Sequence, residues 1–190
     1  MTLDTIIQNR RSIFPKSYDP NKEITIELIL QILNNANAAP SHRLTEPFRY
    51  EILRGESRQE LANFLLEDYL QNTPVDQQSE MKMRKVQENP LRSAVVIALK
   101  MKRHADLVPE WEEIAAVAMA VQNMWLTCTE LGIGSYWSSP ASMVKRGGQF
   151  LTLNADEQCL GLFYMGYPLS TAPFPAPKRT PIETKITWRD

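Results

Sequence analysis

The stretch between Pro109 and Leu131 constrains the fold more than any other part of the sequence. It predicts one helix of about 22 residues, because a proline followed by Glu112 and Glu113 suits the start of a helix and Gly132 suits its end. Alanines and larger apolar residues occupy nearly all of its sides. A helix of this kind lies in the centre of a fold or at an interface between subunits.

Four segments have the patterns of β-strands. Residues 47–53 alternate apolar and charged side chains, which is typical of a strand with one solvent-exposed face. Residues 94–99 are continuously apolar and β-branched-rich, which favours a strand buried on both faces. Residues 159–165 form another apolar run, and residues 184–188 alternate like a strand. With helices over 3–9, 25–39 and 56–71, these segments predict an α+β fold with a mostly antiparallel central sheet flanked by helices.

Two segments are expected to extend from a single domain that spans residues 1–190. Residues from about 67 to 90 are polar and rich in Gln, Glu and Lys, and we expect a mobile helix-and-loop excursion there. Residues from about 169 to 190 contain four of the 13 prolines, namely Pro173, Pro175, Pro177 and Pro181. Because such a run cannot pack as a helix, we expect an extended C-terminal arm.

Composition argues against several classes of function. The 21 basic and 22 acidic side chains give a net charge of −1, which provides no bulk attraction to nucleic acid or to an anionic membrane. No apolar run approaches the roughly 20 residues that cross a bilayer, and the first residues lack the pattern of a secretion signal. Cys128 and Cys159 are too few for a disulfide framework or a four-thiolate metal site. We therefore expect a cytoplasmic protein without a metal.

Two short polar motifs in the first quarter of the chain could bind a ligand. Arg10, Arg11 and Ser12 follow the first helix and offer forked guanidinium donors and a hydroxyl to a phosphate. Alternatively, the arginines only complement the helix dipole. His42 lies in a loop between a helix and a strand, where it binds a ring or is simply solvated. His104 lies in a polar connection beside Arg103, and we expect no supporting neighbours for it.

Two motifs in the second half of the chain complete the set. Residues 132–140 contain Trp137, Ser138 and Ser139 and offer backbone and hydroxyl donors with a large aromatic ring, but they do not match a dinucleotide or P-loop motif. Trp137 is an equally good core residue. Lys178 and Arg179 form a second basic pair in the arm, where the alternative is a solvated surface.

Taken in chain order, these motifs resemble the nitroreductase family of FMN enzymes. The resemblance begins with Arg-Arg-Ser after a short first helix, followed by Ala-Pro-Ser-His at 39–42 and Pro-Phe at 47–48. Residues 122–134 resemble the family's central helix, and residues 161–168 resemble its late strand. The Val108-Pro109-x-Trp111-Glu112 motif is similar to the minimal bacterial NAD(P)H nitroreductases. The resemblance covers nearly the whole chain.

The resemblance implies a nitroreductase-like fold in a homodimer with shared FMN sites, a buried long helix and an exchanged C-terminal arm. Lys16 and Arg11 are implied to lie near the pyrimidine edge of the flavin. Residues 127–132 match a segment proposed for the nicotinamide nucleotide. The implied cofactor-binding residues are Arg10, Arg11, Ser12, Ser41, His42, Trp137, Ser138, Ser139, Lys178 and Arg179.

The implied activity is an FMN-dependent oxidoreductase. It uses NADH or NADPH to reduce nitroaromatic, quinone or similar small-molecule acceptors by ping-pong hydride transfer. No catalytic nucleophile is expected, and His42 is a proton donor or a substrate contact. Two alternatives remain open. A non-catalytic FMN-storage protein would bind FMN without NAD(P)H-dependent bleaching, and a reductive dehalogenase would need a substrate-anchoring lid in residues 67–90.

Overall fold

The computed structural model describes residues 1–170, 174–175 and 178–189, and in this part of the chain six α-helices surround a four-stranded sheet. Short 3-10 turns connect several of these elements. The helices are α1 (Leu3–Asn9), α2 (Ile26–Asn37), α3 (Ser57–Asn72), α4 (Glu80–Arg92), α5 (Glu110–Glu130) and α6 (Ala141–Arg146); the strands are β1 (Phe48–Leu53), β2 (Val95–Lys102), β3 (Gly134–Ser138) and β4 (Glu157–Gly166).

The sheet has the strand order β1-β2-β4-β3, and every neighbouring pair is antiparallel. Strand β2 lies in the interior, where Ile97 pairs with Ile52 on one side and Phe163 on the other. Its residues from Val95 to Leu99 have no solvent exposure, because each face of the sheet is covered. The predicted α+β architecture is therefore confirmed.

The two faces of β2 belong to two different layers of core. Ile97 and Leu99 pack with α2 and α5, whereas Val96 and Ala98 pack with α3 and with the buried Tyr18. This alternation follows from the period of two in a β-strand. One layer therefore holds α5 against the sheet, and the other holds the chain around Tyr18.

Helix α5 has one buried side and one exposed apolar side. It spans 21 residues, with Pro109 as its N-cap, and Gly132 follows it with a φ of 67°, in the left-handed region that favours glycine. Ala116, Val117 and Ala120 face the core. On the opposite side Trp111, Ile114 and Met119 remain exposed, which leaves an apolar surface along the helix.

Two local predictions need revision. Residues 184–188 are not a strand, since Ile182–Lys185 form a 3-10 turn in which both the amide and the hydroxyl of Thr184 donate to the Pro181 carbonyl. Strand β3 was not predicted, because its side chains do not alternate in polarity. The 67–90 segment contains the end of α3 and most of α4, so it is largely helical; its mobility stays a prediction.

The C-terminal arm begins beside the segment that contains Tyr18. Tyr18 forms an isolated bridge with Pro168, and the Leu169 amide donates to the Ser17 carbonyl. Pro173 and Pro177 lie outside the described residues, and exchange of the arm in a dimer stays a prediction. In the described part of the chain, none of the helices combines the length and the hydropathy required to cross a membrane.

Candidate functional site

The Arg10–Ser12 segment leaves α1 in an extended conformation and is held by three other parts of the fold. The Ile13 amide donates to the Ser135 carbonyl at 3.0 Å, and the Tyr18 hydroxyl donates to the Ile13 carbonyl at 2.6 Å. The indole N–H of Trp125 donates to the Arg11 carbonyl at 3.1 Å and to the Ser135 carbonyl at 3.2 Å. Helix α5 and strand β3 thus fix the backbone that presents the two arginines.

Arg11 has the role that the helix-dipole alternative predicted for it. Its Nη1 donates to the Gln8 carbonyl at the end of α1 and to the Arg10 carbonyl, at 2.5 and 2.8 Å. Its Nε donates to the Pro175 carbonyl of the arm at 3.2 Å. Arg11 therefore joins the end of α1 to the arm while it keeps a positive charge beside Arg10.

Arg10 is oriented by an aromatic ring instead of a carboxylate. Its guanidinium lies over the indole ring of Trp125, 4.7 Å from the centroid, which is a cation–π contact. Burial, followed by repulsion from Arg179 and Arg11, lowers the pKa of Arg10. Among the described residues, no carboxylate forms an ion pair with any of these three arginines. The positive charge of this arginine cluster is therefore not neutralised by an ion pair with a described carboxylate.

These arginines border a cavity of about 390 Å³. The 3-10 turn Pro15–Ser17 brings Lys16 to the same cavity. The structure therefore brings together four predicted residues and Lys16, while Lys178 is exposed and does not line the cavity. The lining residues are Arg10, Arg11, Ser12, Ile13, Phe14, Lys16, Ser17, Phe174, Pro175 and Arg179.

Ser41 and His42 lie in a tightly turned loop at the other end of α5. The loop contains three non-glycine residues with positive φ, Arg43, Leu44 and Glu46. The Ser41 hydroxyl accepts from the Glu46 amide at 3.1 Å, and His42 Nδ1 lies 2.5 Å from a carboxylate oxygen of Glu112. His42 is thus anchored to the first turn of α5 while its ring stays mostly exposed.

Trp137 lies near this end of α5, at a second cavity of about 430 Å³ that Ile114 and Ser139 also line. A β-bulge in β4 orients its ring, because Leu160 is an extra residue in the pairing of β2 with β4 and its carbonyl accepts from the Trp137 indole at 3.2 Å. Gly161 follows with a φ of 133°, and a Cβ there would collide with Ser138. Ser138 ends β3 and pairs with Leu162.

The predicted residues therefore form two groups, which one chain does not bring together. Arg10 lies over Trp125 and His42 contacts Glu112, and these two anchors are thirteen positions apart on α5. At 1.5 Å per residue, the anchors are about 20 Å apart along the helix. Within one chain the two groups therefore lie at different ends of α5.

The expectation for His104 was wrong. Its backbone amide and its Nδ1 both contact the carboxylate of Glu113, which is 1% exposed and also pairs with Arg103. A buried carboxylate needs such partners, because its charge is costly to remove from water. His104 therefore has a structural role at the start of α5.

Two residues of the first group were not predicted as site residues. Trp125 was only part of a helix pattern, and Tyr18 was not considered. Both act on residues far away in sequence, since Trp125 contacts the Arg11 carbonyl and Tyr18 contacts the Ile13 carbonyl while lying against Gly134 and Gly166. The signal available in the sequence was weak: a tryptophan within the long predicted helix, and the glycines at 134 and 166.

Comparison with known proteins agrees with the fold and with the motifs. Residues 7–167 match the model of the nitroreductase family. The "Putative NAD(P)H nitroreductase YfhC" of Bacillus subtilis is 28% identical over 187 residues, which cover 97% of this chain and 93% of the relative. The chain therefore belongs to the nitroreductase family, a family of oxidoreductases, and the resemblance noted in the sequence is confirmed.

Solved structures support the same fold. A nitroreductase-like family protein from Bacillus cereus superimposes with a TM-score of 0.85 at 22% identity, over 100% of this chain and 97% of that one. A putative nitroreductase in complex with FMN from Desulfovibrio desulfuricans superimposes with a TM-score of 0.75 at 19% identity, over 100% and 98%. At these identities the comparison establishes the fold.

Proposed function

We propose that the protein is an FMN-dependent oxidoreductase that takes electrons from NADH or NADPH and reduces small acceptors such as nitroaromatics or quinones. The observation that carries this proposal is the cationic cavity beside α1. Three arginines and Lys16 surround it with no carboxylate ion-paired to them among the described residues. A dianionic phosphate monoester is the group that such donors bind.

The donor set fits the phosphate end of FMN. Arg10 and Arg179 would neutralise the phosphate, and Ser12 would add a hydroxyl donor. Burial is the main cause of the lowered pKa of Arg10, and repulsion from Arg179 and Arg11 adds to it; an anion between Arg10 and Arg179 would relieve that repulsion. Lys16 borders the same cavity and would reach the flavin's pyrimidine edge. When bound, FMN supplies the two-electron chemistry of the reaction.

The second group of residues would come from another copy of the chain. Ser41, His42, Trp137 and Ser139 lie at the end of α5 that is remote from Arg10. The exposed apolar side of α5, with Trp111, Ile114 and Met119, is a suitable surface for a symmetric homodimer. In such a dimer each α5 is covered, and each cationic cavity meets a His42 loop.

In this proposal the side chains bind and orient, and none acts as a nucleophile. Lys16 and Arg11 place positive charge where the flavin accumulates negative charge, which is electrostatic stabilisation by preorganised donors. His42, held by Glu112, would contact the acceptor or supply a proton. The electron donor, NADH or NADPH, and the electron acceptor would bind at the same site one after the other. The protein is expected in the cytoplasm, which also stays a prediction.

The test combines binding, assembly and turnover. The purified protein is saturated with FMN, passed over a sizing column, and mixed anaerobically with NADH or NADPH. We expect a yellow dimer whose flavin absorbance bleaches and then recovers on addition of a nitroaromatic or a quinone. A yellow dimer that no nucleotide bleaches would indicate FMN storage, and recovery only with a halogenated aromatic would indicate a dehalogenase. A colourless monomer after saturation would refute the proposal.

A further inference from the structure

A second cationic cavity lies directly beside the first one. It measures about 380 Å³ and is formed by α4 and by the segment around the 3-10 turn Pro15–Ser17. It shares Phe14 and Lys16 with the cavity proposed for the FMN phosphate, so the two cavities are adjacent. The remaining lining residues lie at helical spacing on α4: Met81, Arg84, Lys85, Glu88, Asn89 and Arg92.

The charge of this cavity is strongly positive in a chain whose net charge is −1. Four basic side chains and one carboxylate line it, which gives a local charge of +3. Glu88 is already engaged, because it accepts from Arg84 Nε at 2.5 Å and from Arg92 Nε at 3.1 Å. Among the described residues, no carboxylate is paired with Lys16 or Lys85. The cavity can therefore accept an additional anion.

The same cavity has an apolar wall. Phe14 and Met81 are both exposed there, at 41% and 81%. The Phe14 ring is held in place by Tyr136, with 4.6 Å between ring centroids. An aromatic ring with a nearby thioether is a suitable surface for a flat heterocycle. The cavity thus combines an apolar wall with an excess of positive charge.

We propose that this cavity binds the 2′-phosphoadenosine end of NADPH and makes NADPH the preferred electron donor. The inference rests on the proposed function, since it requires a dinucleotide whose nicotinamide end lies at the flavin. NADPH differs from NADH only by the 2′-phosphate, and a phosphate carries close to two negative charges at neutral pH. Lys85 and Arg84 bind the 2′-phosphate, and Phe14 and Met81 pack against the adenine.

The experiment uses the FMN-loaded protein and the variant Lys85→Ala. Lys82→Ala is the matched control, because Lys82 lies on the same helix but points over the Tyr69 ring, away from the cavity. Calorimetric titration with adenosine 2′,5′-bisphosphate and with AMP measures binding without turnover. We expect the bisphosphate to bind about tenfold more tightly than AMP, and Lys85→Ala to remove that difference while Lys82→Ala keeps it.

Steady-state kinetics provide the second readout. In Lys85→Ala we expect the KM for NADPH to rise about tenfold with kcat and the KM for NADH unchanged. Equal affinity for the bisphosphate and AMP in the unsubstituted protein would overturn the proposal. So would an unchanged KM for NADPH together with a raised KM for 4-nitrobenzoate, which would assign the cavity to an acidic acceptor. Retained flavin absorbance in these cases shows that only this inference, and not FMN binding, has failed.

Discussion

The guanidinium of Arg10 lies 4.7 Å from the centroid of the Trp125 ring, and this contact connects the candidate phosphate site to the central helix. The indole N–H of the same tryptophan holds the Arg11 and Ser135 carbonyls. One side chain of α5 therefore orients an arginine through its ring and positions the following backbone through its nitrogen.

Replacement of Arg10 tests the phosphate site directly. We expect Arg10→Ala to weaken FMN binding by about 2 kcal/mol, because a charge-assisted contact to the phosphate is lost. A fluorescence titration with FMN measures the change. Lys82→Ala is the control, since Lys82 lies over the Tyr69 ring and does not line the cavity. Equal losses in the two variants would show that bulk charge, and not this cavity, holds the phosphate.

Trp125→Phe separates the two functions of the tryptophan. The phenyl ring still lies under Arg10, but the Arg11 carbonyl loses its indole donor. We expect a loss of about 1 kcal/mol in the free energy of unfolding and weaker FMN binding. Urea denaturation and FMN titration measure the two effects. Trp188→Phe, at a position that is 84% exposed, should change neither.

The ion-pair cluster of Arg103, His104 and Glu113 should contribute to the stability of the fold and not to the activity. Glu113→Ala leaves Arg103 and His104 without their buried carboxylate, and we expect a loss of about 3–5 kcal/mol in the free energy of unfolding. Glu112→Ala removes a partly exposed carboxylate one residue earlier, with an expected cost below about 1 kcal/mol. Both values come from urea denaturation. Similar costs for the two variants would contradict the structural role of Glu113.

Alkaline pH should destabilise the protein. Burial raises the pKa of the Cys128 thiol to about 12 and that of Tyr50 to about 12, so the folded chain holds protons that the unfolded chain releases earlier. This stabilisation is complete below the ordinary pKa values and is lost as pH rises through the folded ones. Above pH 9, Cys128 alone should lower the free energy of unfolding by about 1.4 kcal/mol per pH unit.

Urea denaturation from pH 7 to 11 measures this slope, and Cys128→Val should reduce it. A free energy of unfolding that stays constant up to pH 11 would be inconsistent with the raised pKa values of the Cys128 thiol and the Tyr50 phenol.

The sequence was sufficient to predict those helices and strands that are determined by residues close together in the chain. Strand β2 is a continuous apolar run, and α5 carries its own start and stop residues, so both followed from pattern alone. Strand β3 did not, because its polarity does not alternate and its place depends on pairing with β4. The partner of His104 was missed since Glu113 is polar and its burial is set by tertiary packing. Arg10 and Arg179 were associated through the family resemblance, as no local pattern links residues that far apart.

The separation of Arg10 and His42 along α5 has a genetic consequence. In a homodimer with two divided sites, an Arg10→Ala chain paired with a His42→Ala chain forms one site with both defects and one site with neither. Random mixing of the two chains makes half of the dimers mixed, so activity should return to about a quarter of that of the unsubstituted protein. Two defective alleles of this protein would then partly complement each other in one cell.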